Sequence, residues 1–301
     1  MPPKGSRSKA SASASASASA SASASSSASA TAKPVKRGPP APIRYYLVFF
    51  NFLSFFGWVI ILSTLIKHLA LGPQPYSGPV KFAADVLSRF RLVKIGVVKS
   101  YSHLFPERIA NILERASNSH TFVGSVVALV QSLAILEVVH AAIGWVRSPV
   151  ATTAIQVASR LFMVWGVTER YSQAWSSPFY ASMVLAWAIT ECIRYPFYAN
   201  QLLGQEGPGL LWARYTTFYI LYPVGAISEA MCILATLPNS LPFNKPAAWD
   251  LRAYVFAGLF AIWWPGLYVM YSYMMKQRRK TIGKGFWGDK LVQQLAEKKR
   301  Q

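Results

Sequence analysis

Apolar runs long enough to cross a bilayer alternate with short polar turns along most of this chain, and basic segments close it at both ends. An α-helix rises about 1.5 Å per residue, so roughly twenty apolar residues span the hydrocarbon core. Runs over 45–66, 122–146, 150–167, 178–198, 212–236 and 251–275 meet or approach that length. The turns between them hold Arg147-Ser148-Pro149, Glu169-Arg170 and a Gly/Pro-rich stretch, Gly204 to Gly209. The run at 150–167 is short and contains Gln156 and Arg160, so it is expected inside a bundle, where neighbouring helices satisfy its polar groups. The pattern predicts an all-α membrane protein, a six-transmembrane helix bundle over residues 44–275. A long connection, 67–120, follows the first span. Its middle, residues 83–99, mixes Val, Leu, Ile and Phe with Arg and Lys, as an interfacial amphipathic helix does.

Composition supports the same class. Of 301 residues, 53% are hydrophobic, yet the formal net charge is +20. The charge gathers at the ends. Residues 1–44 carry seven Lys/Arg and no acid, and residues 276–301 carry nine against Asp289 and Glu297. Basic clusters that flank apolar spans suit juxtamembrane segments facing an anionic leaflet. Nucleic acid would need them on a folded surface and is not an expected partner. Residues 1–43 form a Ser/Ala-rich basic tail without large apolar side chains, which cannot bury enough surface to offset the entropy of ordering. It is not expected to act as a secretory signal. Residues 276–301 form a second basic tail. Two positive tails are expected in the cytosol, which requires an even number of spans. The basic connection 67–120 would then lie on the far side, against the charge bias, which loops of that length obey poorly. Lys298-Lys299-Arg300-Gln301 resembles a dilysine retrieval signal and points to the endoplasmic-reticulum membrane.

Ionisable groups inside membrane spans are costly and mark functional sites by default. Here they are Glu137, His140, Arg160, Glu191, Arg194 and Glu229, with Arg214 near the start of the fifth run. Glu137/His140 and Glu191/Arg194 are i,i+3 pairs, each on one helical face. Three acids and two arginines can nearly neutralise one another, so part of the set is expected to be scaffold. Tyr215, Tyr222 and Glu229 repeat every seven residues and form a stripe with no obvious partner for Tyr222 or Glu229 on their own helix. Pro223 removes a helical hydrogen bond and Gly225 follows it, which predicts a kink there. Cys192 and Cys232 lie in apolar runs, where a thiol is inert, and their spacing suits neither a disulfide framework nor a metal.

The segment R-Y-T-T-F-Y-I-L-Y-P-V-G-A-I-S-E, Arg214 to Glu229, closely resembles the very-long-chain (3R)-3-hydroxyacyl-CoA dehydratases, formerly called protein-tyrosine-phosphatase-like. Two further stretches match that family's pattern. One is L-E-V-V-H-A-A-I-G-W-V-R-S-P from Leu136 to Pro149, continued by Q-V-A-S-R from Gln156 to Arg160. The other is W-A-I-T-E-C-I-R-Y-P-F-Y from Trp187 to Tyr198. The likeness covers Arg44 to about Met275. Phosphatase chemistry is not expected, because Cys192 is followed by Ile-Arg-Tyr-Pro in an apolar span, without a phosphate-cradling loop.

The resemblance implies elimination of water from a (3R)-3-hydroxyacyl-CoA to give the trans-2-enoyl-CoA, the third step of very-long-chain fatty-acid elongation. The family's catalytic pair maps onto Tyr222 and Glu229. A base must take the C2 proton and an acid must protonate the leaving C3 hydroxyl; a buried Glu with a Tyr hydroxyl nearby can supply both, and the residues leave open which does which. No metal or redox cofactor is implied, since the substrate carries its own CoA. The CoA phosphates are expected at the cytosolic face near Arg147, Arg214 and the Lys276–Lys280 cluster. Glu137, His140, Arg160, Glu191, Arg194 and Tyr215 are expected to bind substrate or support the pair. On a straight helix Tyr222 and Glu229 stand roughly 10 Å apart, so a kink or a bridging water is required. The implied partners are the lipid bilayer, the elongase condensing enzyme, the 3-ketoacyl-CoA reductase and the enoyl-CoA reductase. The alternative is a non-catalytic membrane scaffold or lipid-binding protein, which would need neither Tyr222 nor Glu229 as an ionisable group.

Overall fold

The computed structural model describes residues 39–73, 75, 78–88, 104–205 and 207–300. The Ser/Ala tail to residue 38, and Arg89, Arg91, Lys94 and Lys99 of the basic connection, lie outside the described residues. From Pro39 onward the described chain is one unit, all helical, with no strand among the described residues.

Helix α1 (Ala41–Leu71) is apolar on every face. Helix α2 (Gly78–Ser88) covers the first part of the segment expected to be interfacial. Helices α3 (Glu107–Leu133) and α4 (Ile135–Ala142) join at Ala134 into one 36-residue rod. Helix α5 (Val150–Leu161) runs into a π-helical stretch, Phe162–Thr168. The single turn α6 (Ser172–Trp175) leads to α7 (Pro178–Leu202). Helices α8 (Pro208–Thr216) and α9 (Phe218–Leu234) meet at a 42° bend. Helix α10 (Leu251–Thr281) and the amphipathic α11 (Asp289–Arg300) complete the chain.

By length and composition four helices can cross a membrane: α1, α3–α4, α5 with its π stretch, and α10. The bent pair α8–α9 makes a fifth if it counts as one span. Helix α7 has the length, 25 residues, but Glu191, Arg194, Asn200 and Gln201 dilute its apolar character. Polarity is inverted relative to a water-soluble domain. Phe49, Phe56, Ile155, Ile220, Ile262 and Val269 stand on the outside, while Glu191, His140 and Gln131 are buried.

The second span begins at Glu107 rather than at 122, so the long connection is shorter than the sequence suggests. The physical reason is a clasp. Arg115 donates to the Leu69 and Ala70 carbonyls at 3.0 and 2.7 Å, satisfying the last turn of α1, and His68 Nε2 lies 2.8 Å from the Arg115 carbonyl. At the opposite end Tyr46 meets His140, so α1 and α3–α4 are antiparallel. Their backbones approach closely at Gly57, where a Cβ would stand 2.9 Å from Val130 Cγ2.

The bend in the fifth run falls at Thr217, not at Pro223. Pro223 lies inside α9, and the Tyr219 carbonyl it leaves without an N–H donor faces the Tyr271 hydroxyl of α10 at 3.4 Å. An outside donor for that carbonyl lets the helix continue through the proline. Helix α7 sits centrally, against α1, α3 and α9. Small residues bring α7 and α9 close: Gly225 faces Ala186, and the Ser182 and Ser228 hydroxyls are 2.7 Å apart.

Candidate active site

Helix α7 gathers the intramembrane charges. One oxygen of Glu191, a residue 1% exposed, accepts from Arg194 Nε at 2.5 Å, and the other accepts from Arg160 Nη1 of α5. Arg194 turns its outer edge to α4, where Nη1 and Nη2 donate to the two oxygens of Glu137 at 2.8 and 2.7 Å. The planar guanidinium fork is what allows one side chain to bridge two carboxylates. The Tyr195 hydroxyl adds a bond to Glu137 at 2.6 Å. Two acids and two arginines thus close a neutral network that ties α4, α5 and α7 together. Helical spacing anticipates only the Glu191–Arg194 edge of it.

The third acid is held differently. Glu229 of α9 has no cation at ion-pair distance among the described residues. Its Oε1 accepts from Trp187 Nε1 of α7 at 2.7 Å, and its Oε2 from Trp263 Nε1 of α10 at 3.2 Å. Indole N–H groups are neutral donors, so they fix the carboxylate without cancelling its charge. The Arg160 guanidinium lies over the Trp187 ring at 5.0 Å, and Tyr222 lies within the electrostatic reach of both Glu229 and Arg160. Among the described residues the Tyr222 hydroxyl has no hydrogen-bond partner. Tyr222 and Glu229 both stay partly exposed. A carboxylate and an uncommitted phenol share one helix here, with a guanidinium behind them.

The family profile described as "Protein tyrosine phosphatase-like protein, PTPLA" matches residues 131–284, which contain every charged residue of both clusters. Over 257 residues, 81% of this chain and 97% of the relative, the chain is 33% identical to very-long-chain (3R)-3-hydroxyacyl-CoA dehydratase hpo-8 of Caenorhabditis elegans. This chain belongs to the very-long-chain (3R)-3-hydroxyacyl-CoA dehydratase family. A Schizosaccharomyces pombe relative, named "Probable very-long-chain (3R)-3-hydroxyacyl-CoA dehydratase", is 47% identical over 157 residues, 52% of this chain and 73% of the relative. Very-long-chain (3R)-3-hydroxyacyl-CoA dehydratase 2 of Mus musculus is 31% identical over 257 residues, 82% and 84% of the two chains. No solved structure matches.

The remaining expected site residues of this dehydratase-family chain scatter. His140 is buried against α1, with Nε2 3.1 Å from the Tyr46 hydroxyl, its ring stacked on Trp145 and met edge-on by Phe50. It pins α4 to α1, and no contact joins it to Tyr222 or Glu229. Arg147 is exposed in the turn between α4 and α5. Arg214 lies beside Tyr198 of α7, Nη2 to hydroxyl 3.4 Å. Tyr215 leaves the expected stripe: the 42° bend at Thr217 separates it from Tyr222 and Glu229, and it lines a cavity of about 250 Å³ elsewhere. The cluster expected at 276–280 is also divided. Arg278 is 4% exposed and its guanidinium donates to the Gly283, Gly285 and Phe286 carbonyls, so it holds the C-terminal turn. Sequence reasoning missed Trp187, Trp263 and Tyr195. A tryptophan in an apolar run reads as packing or an interfacial anchor, and nothing local marks it as a carboxylate donor.

Proposed function

We propose that this chain dehydrates (3R)-3-hydroxyacyl-CoA thioesters to trans-2-enoyl-CoA, the third step of the very-long-chain fatty-acid elongation cycle, with Tyr222 and Glu229 as the reacting pair. The observation that carries the assignment is the treatment of the acids: Glu137 and Glu191 are saturated by arginines, while Glu229 is held by two neutral indoles and shares its helix with Tyr222, whose hydroxyl has no hydrogen-bond partner among the described residues. A reacting carboxylate must be oriented yet able to take up a proton, and an ion-paired one resists protonation.

In the elimination Glu229 removes the C2 proton next to the thioester carbonyl. The C2–H electron pair forms the C2=C3 double bond as the C3–O bond breaks, and the Tyr222 hydroxyl donates a proton to the departing oxygen, which leaves as water. Helix α9 continues through Pro223, so no kink closes the roughly 10 Å between the two residues, and proton return from Glu229 to the Tyr222 phenolate runs through a bridging water and resets the site. Arg160 stabilises the phenolate while it carries charge. The thioester activates its own C2 proton, so the step requires neither metal nor redox cofactor.

Six spans suit this reading. Helix α7 is covered by α1, α3 and α9, so protein rather than lipid meets its polar groups, and it joins the other five. An even count puts the start of α1 and the end of α10 on one side, the cytosol, with the chain in the endoplasmic-reticulum membrane. There it would work beside the elongase condensing enzyme, the 3-ketoacyl-CoA reductase and the enoyl-CoA reductase. Incubating purified protein with a 3-hydroxyacyl-CoA and following loss of water by mass spectrometry tests the activity. No enoyl-CoA from folded protein would refute it.

A further inference from the structure

A cavity of about 250 Å³ opens between the α7–α8 turn and the C-terminal helix α11, away from Glu229. Carboxamides dominate its polar lining: Asn200 and Gln201 from α7, Gln205 from the turn, and Gln294 from α11, with Tyr215 of α8 also on the wall. Such groups both donate and accept, which suits a ligand that carries amide bonds. The volume is below that of sites that enclose a drug-sized molecule, so it fits a linear arm and not a whole nucleotide cofactor. The rim is basic. Lys290, Gln294 and Lys298 repeat every fourth residue and share one face of α11, and Lys290 Nζ donates to the Lys280 carbonyl beside the lining residue Thr281. Tyr215 precedes Tyr222 by seven residues across the bend at Thr217, a separation of roughly 10 Å or less, so the cavity lies within an arm's reach of Tyr222.

We infer that this cavity holds the pantetheine arm of the acyl-CoA, that the lysines of α11 and the end of α10 take its phosphates, and that α11 is therefore part of the substrate site. The inference rests on the dehydratase reading for the identity of the arm. The arm's two amides would meet the carboxamides, its thioester end would pass Tyr215 toward Tyr222, and its diphosphate would remain at the lysine rim. The C-terminal tail then works as one wall of the entrance.

Two variants test it in phosphatidylcholine nanodiscs, which carry no anionic lipid to compete for the lysines. Gln294→Trp fills the cavity, and Asn200→Leu keeps its volume and removes a carboxamide. Each is assayed with a 3-hydroxyacyl-CoA and with the matching N-acetylcysteamine thioester, which lacks the outer arm and the phosphates. The ratio of kcat/KM for the CoA ester to that for the short ester should fall about tenfold in each variant, the scale of one or two lost hydrogen bonds. A ratio unchanged in both variants, with wild-type turnover intact, overturns the cavity assignment and leaves the dehydratase reading standing. Equilibrium binding of CoA itself needs no turnover. CoA binding weakened about tenfold by Gln294→Trp in a protein that dehydrates neither ester would uphold the cavity and refute the dehydratase reading. CoA binding equal in wild type and both variants would overturn the cavity on its own.

Discussion

Two polar clusters lie within one apolar bundle, and they treat charge in opposite ways. Around Arg194, every carboxylate oxygen of Glu137 and Glu191 accepts from a guanidinium. Around Glu229, both carboxylate oxygens accept from tryptophan N–H groups, and the Tyr222 hydroxyl on the same helix has no hydrogen-bond partner among the described residues. The first arrangement lowers the cost of burying charge and locks three helices in register. The second leaves a charge that can still change its protonation state. On the proposed mechanism the bundle must hold its shape and move protons in the same apolar medium, and separating the two clusters would spare Glu229 a structural duty. Arg160 joins the two, paired to Glu191 and lying over the ring of Trp187 that orients Glu229.

The strongest way to break this contrast is at Arg194. Arg194→Met removes the hub and leaves two inward carboxylates short of partners, a loss of about 3–5 kcal/mol for a buried pair. Thermal or denaturant unfolding in detergent should show a markedly less stable protein, or none that folds. A variant of normal stability that lost only turnover would move Arg194 into the reacting set and dissolve the distinction.

The complementary change is at the pair itself. Glu229→Gln and Tyr222→Phe keep shape and remove a charge and a hydroxyl. Each should lower kcat by about 10² or more, about 2.7 kcal/mol at the barrier, with unfolding behaviour close to wild type. The double variant should lose little beyond the worse single one, because groups acting in one step are not additive. Near-normal dehydration by the folded single variants would eliminate the assignment.

The tryptophans sharpen the picture at smaller scale. Trp263→Phe removes the longer of the two indole bonds, and Trp187→Phe removes the shorter one together with its contact to Arg160. About tenfold in kcat is expected for Trp263→Phe and more for Trp187→Phe, with little change in KM if the indoles act by orienting the acid. Equal or absent effects on kcat in steady-state assays would show that the indoles only fill space.

The helices were legible because lipid imposes a length and an apolarity that soluble packing does not. Where that constraint relaxes, the pattern alone no longer places an element's end or bend. The segment 107–121 looked like loop because Glu107, Arg108, Glu114 and Arg115 interrupt it, yet Arg115 and His68 fold it back onto α1. Pro223 looked like a hinge because the freed carbonyl of Tyr219 has no partner within its own helix; the partner, Tyr271, is 52 residues away. The site shows the same divide. Tyr222 and Glu229 stand out in the sequence as polar residues at membrane depth. The other charged residues stand out too, but their pairings do not, because Glu137–Arg194, Arg160–Glu191 and Trp187–Glu229 join residues 57, 31 and 42 positions apart, where no helical period reaches.

The smallest effect belongs to Arg214, which stands outside both clusters. It lies on Tyr198 at the start of the bent pair, near the α7–α8 turn, with its guanidinium 5.9 Å from the ring centroid. If it attracts the phosphates of CoA, it does so in the ground state and the transition state alike, and uniform binding moves KM and leaves kcat in place. Arg214→Glu should therefore raise KM for the acyl-CoA a few-fold, about 1 kcal/mol or less for a partly exposed charge, and the increase should shrink as salt is added. The same substitution should leave the N-acetylcysteamine thioester untouched, because that substrate has no phosphate. A KM that does not move in folded protein would make Arg214 a side chain that reaches to lipid phosphate at the membrane surface, as arginines at span ends do. A fall in kcat would instead extend the reacting cluster to the far side of the Thr217 bend.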